Sequence, residues 1–339
     1  MMPSHSIPWL EFILCLAVIG FAGVKLSVFG DVIADKTGLG SSWVGVMMLA
    51  TVTSLPELVT GTISVTAAEL PDIAVGNALG ACVINLFIFV LLDFLHRGES
   101  VYHESSRGHI LSASFGVLML GFVGFSILLS HNGFQPSFWH VGLYTPILVI
   151  MYGVAVRNVF HYEKTHVGAF TDHAPDRRPD LNLSQSVARY SAAALLVVAA
   201  GIGLPFVGDE IARDMGWQRG FVGTVFIALA TSIPEMVVSI AAMRIGALNM
   251  AVASLLGSNL FNMLIIALDD VLYIRGPLLA QVSPVHGVSA FSAVMMTGLA
   301  IIGLFYRPND RLLHTVGWTS LFLFVIYLLN TYILYLYGH

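Results

Sequence analysis

The chain has 339 residues, 57% of them hydrophobic and only 10% charged, with a mean hydropathy of +0.83 and a formal charge of −5. An ordinary soluble domain carries about 25% charged residues, so this composition excludes a soluble fold and indicates a membrane protein. No polar stretch is long enough to close a core of its own, and the 15 Lys and Arg are scattered, which argues against nucleic acid as a partner.

The N-terminal stretch MMPSHSIPWLEFILCLAVIGFAGV lacks a basic leader and runs beyond the roughly 7–15 apolar residues of a signal peptide, so it reads as a first spanning helix. Apolar blocks of about 20 residues, the length that crosses a hydrocarbon core of roughly 30 Å, fall near 8–30, 42–67, 71–95, 109–130 and 139–160. The polar linker HYEKTHVGAFTDHAPDRRPDLNLSQS occupies 161–186, and further blocks fall near 187–208, 219–243, 248–273, 281–305 and 314–337. Each must be a helix, because no other open segment satisfies its backbone in lipid. The expected fold is an all-α polytopic membrane protein of ten transmembrane helices, with residues 1–160 and 187–339 as two five-helix halves and 161–186 as a tether. Cys15 and Cys82 lie inside apolar blocks without ligand-like spacing and read as small buried hydrophobes.

Alternate loops differ in charge. The odd-numbered loops hold eleven Lys and Arg, the even-numbered ones only Arg213, Arg219 and Arg275, and Lys25 lies within the first span. The positive-inside rule then puts the linker in the cytoplasm and both termini outside a plasma or inner membrane. Five spans per half make the halves cross in opposite directions.

The halves also match in sequence. A shift of 178 pairs Gly30 with Gly208, Asp31 with Asp209, Gly45 with Gly223, Ala50 with Ala228, Thr53 with Thr231, Ser54 with Ser232, Pro56 with Pro234 and Glu57 with Glu235. A shift of 177 pairs Gly80 with Gly257 and Asn85 with Asn262. Inverted repeats are a transporter signature, with the site expected at the midplane where Pro or Gly interrupts helices.

TSLPE at 53–57 and TSIPE at 231–235 fall there. Proline removes a backbone N–H and releases carbonyls one turn earlier, expected around Ala50 to Thr53 and Ala228 to Thr231. The neighbouring Thr and Ser add hydroxyls. Each glutamate adds a charge that costs about 2.5 kcal/mol or more at membrane depth unless compensated. No basic side chain is placed to pair both, so a bound cation is the expected compensator. Carboxylates, the amides Asn85 and Asn262, hydroxyls and carbonyls suit a hard ion such as Ca²⁺ or Na⁺ rather than a soft metal. One Ca²⁺ or two Na⁺ would neutralise Glu57 and Glu235 equally.

These residues resemble the two alpha-repeats of the cation/calcium exchanger superfamily, particularly its sodium/calcium branch, where a TSLPEL helix precedes a helix carrying GN..GSN.FN. Here the second motif reads GNALGACVINLFIF at 76–89 and ASLLGSNLFNMLII at 253–266. The resemblance implies an antiporter, not an enzyme, exchanging Ca²⁺ for Na⁺ by alternating access, with the second, third, seventh and eighth helices around the ions and the first and sixth sliding against them. It places the ion ligands at Ala50, Thr53, Ser54, Glu57, Ala228, Thr231, Ser232, Glu235, Asn85, Ser258 and Asn262, the alanines through their carbonyls. It implies no cofactor and no obligatory protein partner, only the transported Ca²⁺ and Na⁺ and the lipid bilayer. Ala81 and Cys82 replace the family's serine and asparagine, and Asn262 stands where many members carry aspartate. Glycine at 80 and 257, where the calcium/proton branch carries glutamate, argues against that branch. Exchange of a cation for protons stays open as the alternative, since burial favours the neutral form of a carboxyl group, and exchange of another divalent cation on the same fold stays open as well.

Asp269 and Asp270, at the end of the eighth span, read as interfacial. Asp31 and Asp209 fit either the mouths of a pathway or solvated helix ends. The 12 histidines fall mostly in loops or near span ends, and YLLNTYILYLYGH reads as an interfacial aromatic belt.

Overall fold

Helices make up nearly all of the computed structural model, which describes residues 6–37, 50–96, 99–166, 182–308, 311–312 and 316–337. The helices are α1 (Ser6–Lys36), α2 (50–53 and, beyond a break, Leu55–Thr66), α3 (Pro71–Leu95), α4 (His109–His131) and α5 (Tyr144–His166). After the linker come α6 (Leu183–Met215), α7 (Arg219–Thr231 and Ile233–Arg244), α8 (Leu248–Leu272), α9 (His286–Tyr306) and α10 (Trp318–Tyr337). Residues 42–49 of the expected second span, Gly45 and linker residues 167–181 lie outside the described residues.

Among the described residues seven helices are long and apolar enough to cross a membrane, or eight if the bent pair forming α7 counts as one span. Helix α5 is not one of them, and its last turns carry Arg157, His161, Glu163 and Lys164. Several boundaries differ from the sequence expectation for local reasons. Helix α6 starts before 187, where the Asn182 side chain accepts the Gln185 N–H at 2.7 Å, and it runs to Gly216, whose φ of 67° closes it. Helix α9 starts at 286 instead of 281, beyond Pro284, because the residue before a proline is pushed out of helical conformation. Helices α5 and α10 each follow a two-residue antiparallel hairpin, Ser137–Phe138 with Val141–Gly142 and Arg311–Leu312 with Val316–Gly317. Neither hairpin was expected.

These hairpins are held by a pair of buried aspartates. Asp270 accepts from the Gly142 N–H at 2.9 Å, the Leu278 N–H at 2.7 Å, and the hydroxyls of Tyr144 and Thr145. Asp93 accepts from the Gly317 N–H at 2.9 Å, the Val101 N–H at 3.1 Å, Ser320 Oγ at 2.8 Å and Ser100 Oγ at 3.2 Å. Asp270, read from the sequence as interfacial, is fully buried within the protein and ties three chain segments together.

At the centre, α3 and α8 are the most enclosed of the apolar helices and cross each other. Helices α1 and α6 pack along one another outside the broken helices. Gly23 of α1 meets Pro234 so closely that a Cβ would stand 2.3 Å from Pro234 Cγ, and Gly201 of α6 would place one 2.9 Å from Val59 of α2. The 23/201 pair obeys the same 178-residue shift as the motifs.

Candidate functional site

Both motifs break their helices in the same way. Ser54 (φ −85°, ψ 12°) and Ser232 (φ −85°, ψ 2°) leave helical geometry, and each caps a new helix with proline in its first turn. The two segments of α7 meet at 44°. Just before that break, Gly223–Ile227 is a π-helical turn, a distortion frequent at functional sites. Pro56 and Pro234 have no N–H, so the bonds a continuous helix would send to the carbonyls of Val52 and Ala230 are missing. The carbonyls of Ala50 and Ala228 were expected to be released, but they are not. Ala50 O accepts from Ser54 N at 3.1 Å, Thr53 Oγ1 at 3.0 Å and Ser258 Oγ at 3.5 Å. Ala228 O accepts from Ser232 N at 3.0 Å and Thr231 Oγ1 at 3.2 Å.

The motifs bond across the halves. Ser54 Oγ donates to Glu235 Oε1 at 3.2 Å, and Ser232 Oγ donates to Glu57 Oε1 at 3.3 Å. Each glutamate is 1% exposed, and each leaves Oε2 without a hydrogen-bond partner. Asn77 of α3 closes the network, donating to the Glu57 carbonyl at 3.4 Å and accepting from Thr231 Oγ1 at 2.9 Å. At the α3–α8 crossing Asn259 Oδ1 accepts from Asn85 Nδ2 at 3.0 Å, and Asn259 Nδ2 donates to the Cys82 carbonyl at 3.4 Å. Cys82 Sγ lies 3.8 Å from the Asn259 carbonyl, so this cysteine is more than filler. Asn262 is fully buried, and neither of its amide atoms has a hydrogen-bond partner.

All eleven expected site residues are thus buried. The glutamates, serines and threonines, with Ala50, Ala228 and Ser258, form two hydrogen-bonded sets, Glu57 with Ser232, Thr231 and Ala228 and Glu235 with Ser54, Ala50, Thr53 and Ser258, and Asn85 and Asn262 sit on the helices beside them. Asn77 and Asn259 were missed as site residues, although both stand in the quoted GNALG and GSN motifs. Asp209, expected at a mouth or a solvated end, has little exposure of its own and is ion-paired with the exposed Arg213 and Arg219. The side chain of Asp31 lies outside the described residues.

A buried polar atom without a partner costs about 1–3 kcal/mol. Glu57 Oε2, Glu235 Oε2, Asn85 Oδ1 and Asn262 Oδ1 are four such oxygens within the expected donor set. Among the described residues no group of three His, Cys, Asp or Glu side chains could hold a metal ion. Any ligand set here is therefore two carboxylates completed by amide, hydroxyl and carbonyl oxygens, a donor set for hard cations.

A helical membrane protein with paired, oxygen-rich breaks at its centre is built to handle cations. A family model described as sodium/calcium exchanger protein matches residues 7–160 and 186–336. The chain belongs to that family, within the cation/calcium exchanger superfamily. It is 22% identical over 298 residues to the inner membrane protein YrbG of Escherichia coli (strain K12), covering 87% of this chain and 88% of that one. The crystal structure of the H⁺/Ca²⁺ exchanger CAX matches 98% of this chain and 85% of its own, with a TM-score of 0.71 and 15% identity. A structure of the sodium-calcium exchanger NCX_Mj matches 96% of this chain and 97% of its own, with a TM-score of 0.57 and 18% identity. The protein is an integral membrane cation/Ca²⁺ exchanger.

Proposed function

We propose that the protein is a secondary active antiporter exchanging Ca²⁺ for Na⁺ at one set of overlapping sites formed by Glu57, Glu235, Asn85, Asn262, Ser54, Ser232, Thr53, Thr231, Ser258 and the carbonyls of Ala50 and Ala228. The observation that carries this is the reciprocal pair of bonds, Ser54 to Glu235 and Ser232 to Glu57, which leaves one free oxygen on each glutamate. Two glutamates without a basic partner carry two charges, the charge of one Ca²⁺ or two Na⁺. A site emptied of cations holds charge that resists passage through a low-dielectric barrier, so α1 and α6 slide only when it is neutralised. This obligation couples the two fluxes. In this reading ten crossings form two inverted halves, the linker and odd loops face the cytoplasm, and Ca²⁺ is extruded from the cell.

Exchange of Ca²⁺ for protons is the second reading. The presence of only two carboxylates favours it, since Asn262 stands where a third would bind a further Na⁺. Proteoliposomes loaded with Na⁺ and diluted into Na⁺-free buffer with tracer Ca²⁺, compared with a proton gradient alone, separate the two. Uptake that needs the outward Na⁺ gradient and vanishes in Glu57→Gln is expected. Uptake driven by protons and indifferent to Na⁺ would replace sodium as the coupling ion.

A further inference from the structure

Asp269 is a buried carboxylate that the site described above does not use. It is 1% exposed, and neither of its oxygens has a hydrogen-bond partner among the described residues. Its neighbour Asp270 accepts four donors, as does Asp93 in the other half. That is how this fold treats an aspartate with a structural task. Under the 177-residue shift the counterpart of Asp269 is Leu92, so the carboxylate occurs on one side of the repeat only.

Its surroundings connect it to the glutamates. Asp269 faces Gly61 of α2, where an added Cβ would stand 2.5 Å from Oδ2, so glycine at 61 is what admits the carboxylate. Gly61 lies one helical turn, about 6 Å, beyond Glu57, and Asp269 lies seven residues, about 10 Å, beyond Asn262. Both displacements run toward the same end of the bundle, where residues 67–70 and 273–285 meet through the Arg275–Glu69 ion pair. No Lys or Arg occurs in Leu55–Thr66, α3, α4 or α8. A carboxylate so enclosed is neutralised by a cation or holds a proton.

We infer that Asp269 is a second cation station between the glutamate pair and that end of the bundle, taking a hard ion of the exchanged kind, Ca²⁺ or Na⁺, as it enters or leaves on that face. The inference rests on the reading of Glu57 and Glu235 as the primary site. It gives an apparently two-fold transporter an intrinsic difference between its faces.

The test uses the full-length protein in nanodiscs and proteoliposomes, with Ca²⁺ as the probe. Glu57→Gln is expected to lose tight Ca²⁺ binding and keep a weak site, which Glu57→Gln/Asp269→Asn then loses. Asp269→Asn alone should raise half-saturating Ca²⁺ about tenfold for transport from the 67–70 face, with the opposite face unchanged. Gly61→Ala, which displaces the carboxylate while keeping it, should give the same one-sided rise. A double variant that binds like Glu57→Gln, or an Asp269→Asn protein with wild-type half-saturation on both faces or equal loss on both, overturns the inference. Tight binding retained in Glu57→Gln would instead defeat the reading of the primary site, and the one-sided kinetics of Asp269→Asn would still decide the role of Asp269.

Discussion

Replacing Glu57 or Glu235 by glutamine separates the energetic cost of the site from its use. Each carboxylate is 1% exposed, accepts one serine hydroxyl at 3.2–3.3 Å and has a second oxygen without a partner. A charge held at membrane depth costs about 2.5–3.5 kcal/mol, and weakening the serine bond to a neutral acceptor returns about 1 of these, so either amide should stabilise the Ca²⁺-free protein by about 2 kcal/mol. Ligand at a hundred times the wild-type Kd should stabilise the wild type by about 2.7 kcal/mol and the variants, left with weak binding, by far less. The order of stability therefore reverses, with the variants ahead without Ca²⁺ and the wild type ahead with it. Thermal unfolding of the purified protein with and without Ca²⁺ reads both halves of this prediction. A variant that keeps the wild-type Ca²⁺-dependent rise in Tm would refute the assignment of the glutamates as ligands.

Gly80→Ala would bring a Cβ to 2.3 Å from the Thr224 carbonyl and 2.7 Å from Ala228 Cβ, so the π-helical segment must move. Overpacking of this kind costs about 1–3 kcal/mol, and since Ala228 leads into Thr231 and Ser232, a lowered Tm with weakened Ca²⁺ binding is expected in calorimetry. Asp93→Asn and Asp270→Asn each weaken four bonds, one to a hairpin strand and three to neighbouring chain segments. At about 1.5–3 kcal/mol for a bond to a charged group, a lower unfolding temperature is expected, with Ca²⁺ affinity of the surviving folded protein unchanged, as read by titration calorimetry.

Much of this protein is settled within single segments. The length and hydropathy of α1, α3, α4, α6, α8, α9 and α10 place helices there because a backbone in lipid must bond to itself. The duplicated TSLPE and TSIPE fix two breaks because proline lacks an N–H wherever it sits. Buried glutamates in such breaks, with hydroxyls beside them and no basic partner, already imply a cation. Tertiary structure decided which group meets which. Ser54 bonds the glutamate 181 positions away and Ser232 the one 175 positions away, each serving the opposite half. No periodicity within one helix could show this. Adjacent aspartates 269 and 270 are alike as sequence, yet one gathers four donors and the other none. Hydropathy sets only the depth of a side chain. Its partners are set by how the helices cross, and that crossing comes from contacts between segments more than a hundred residues apart.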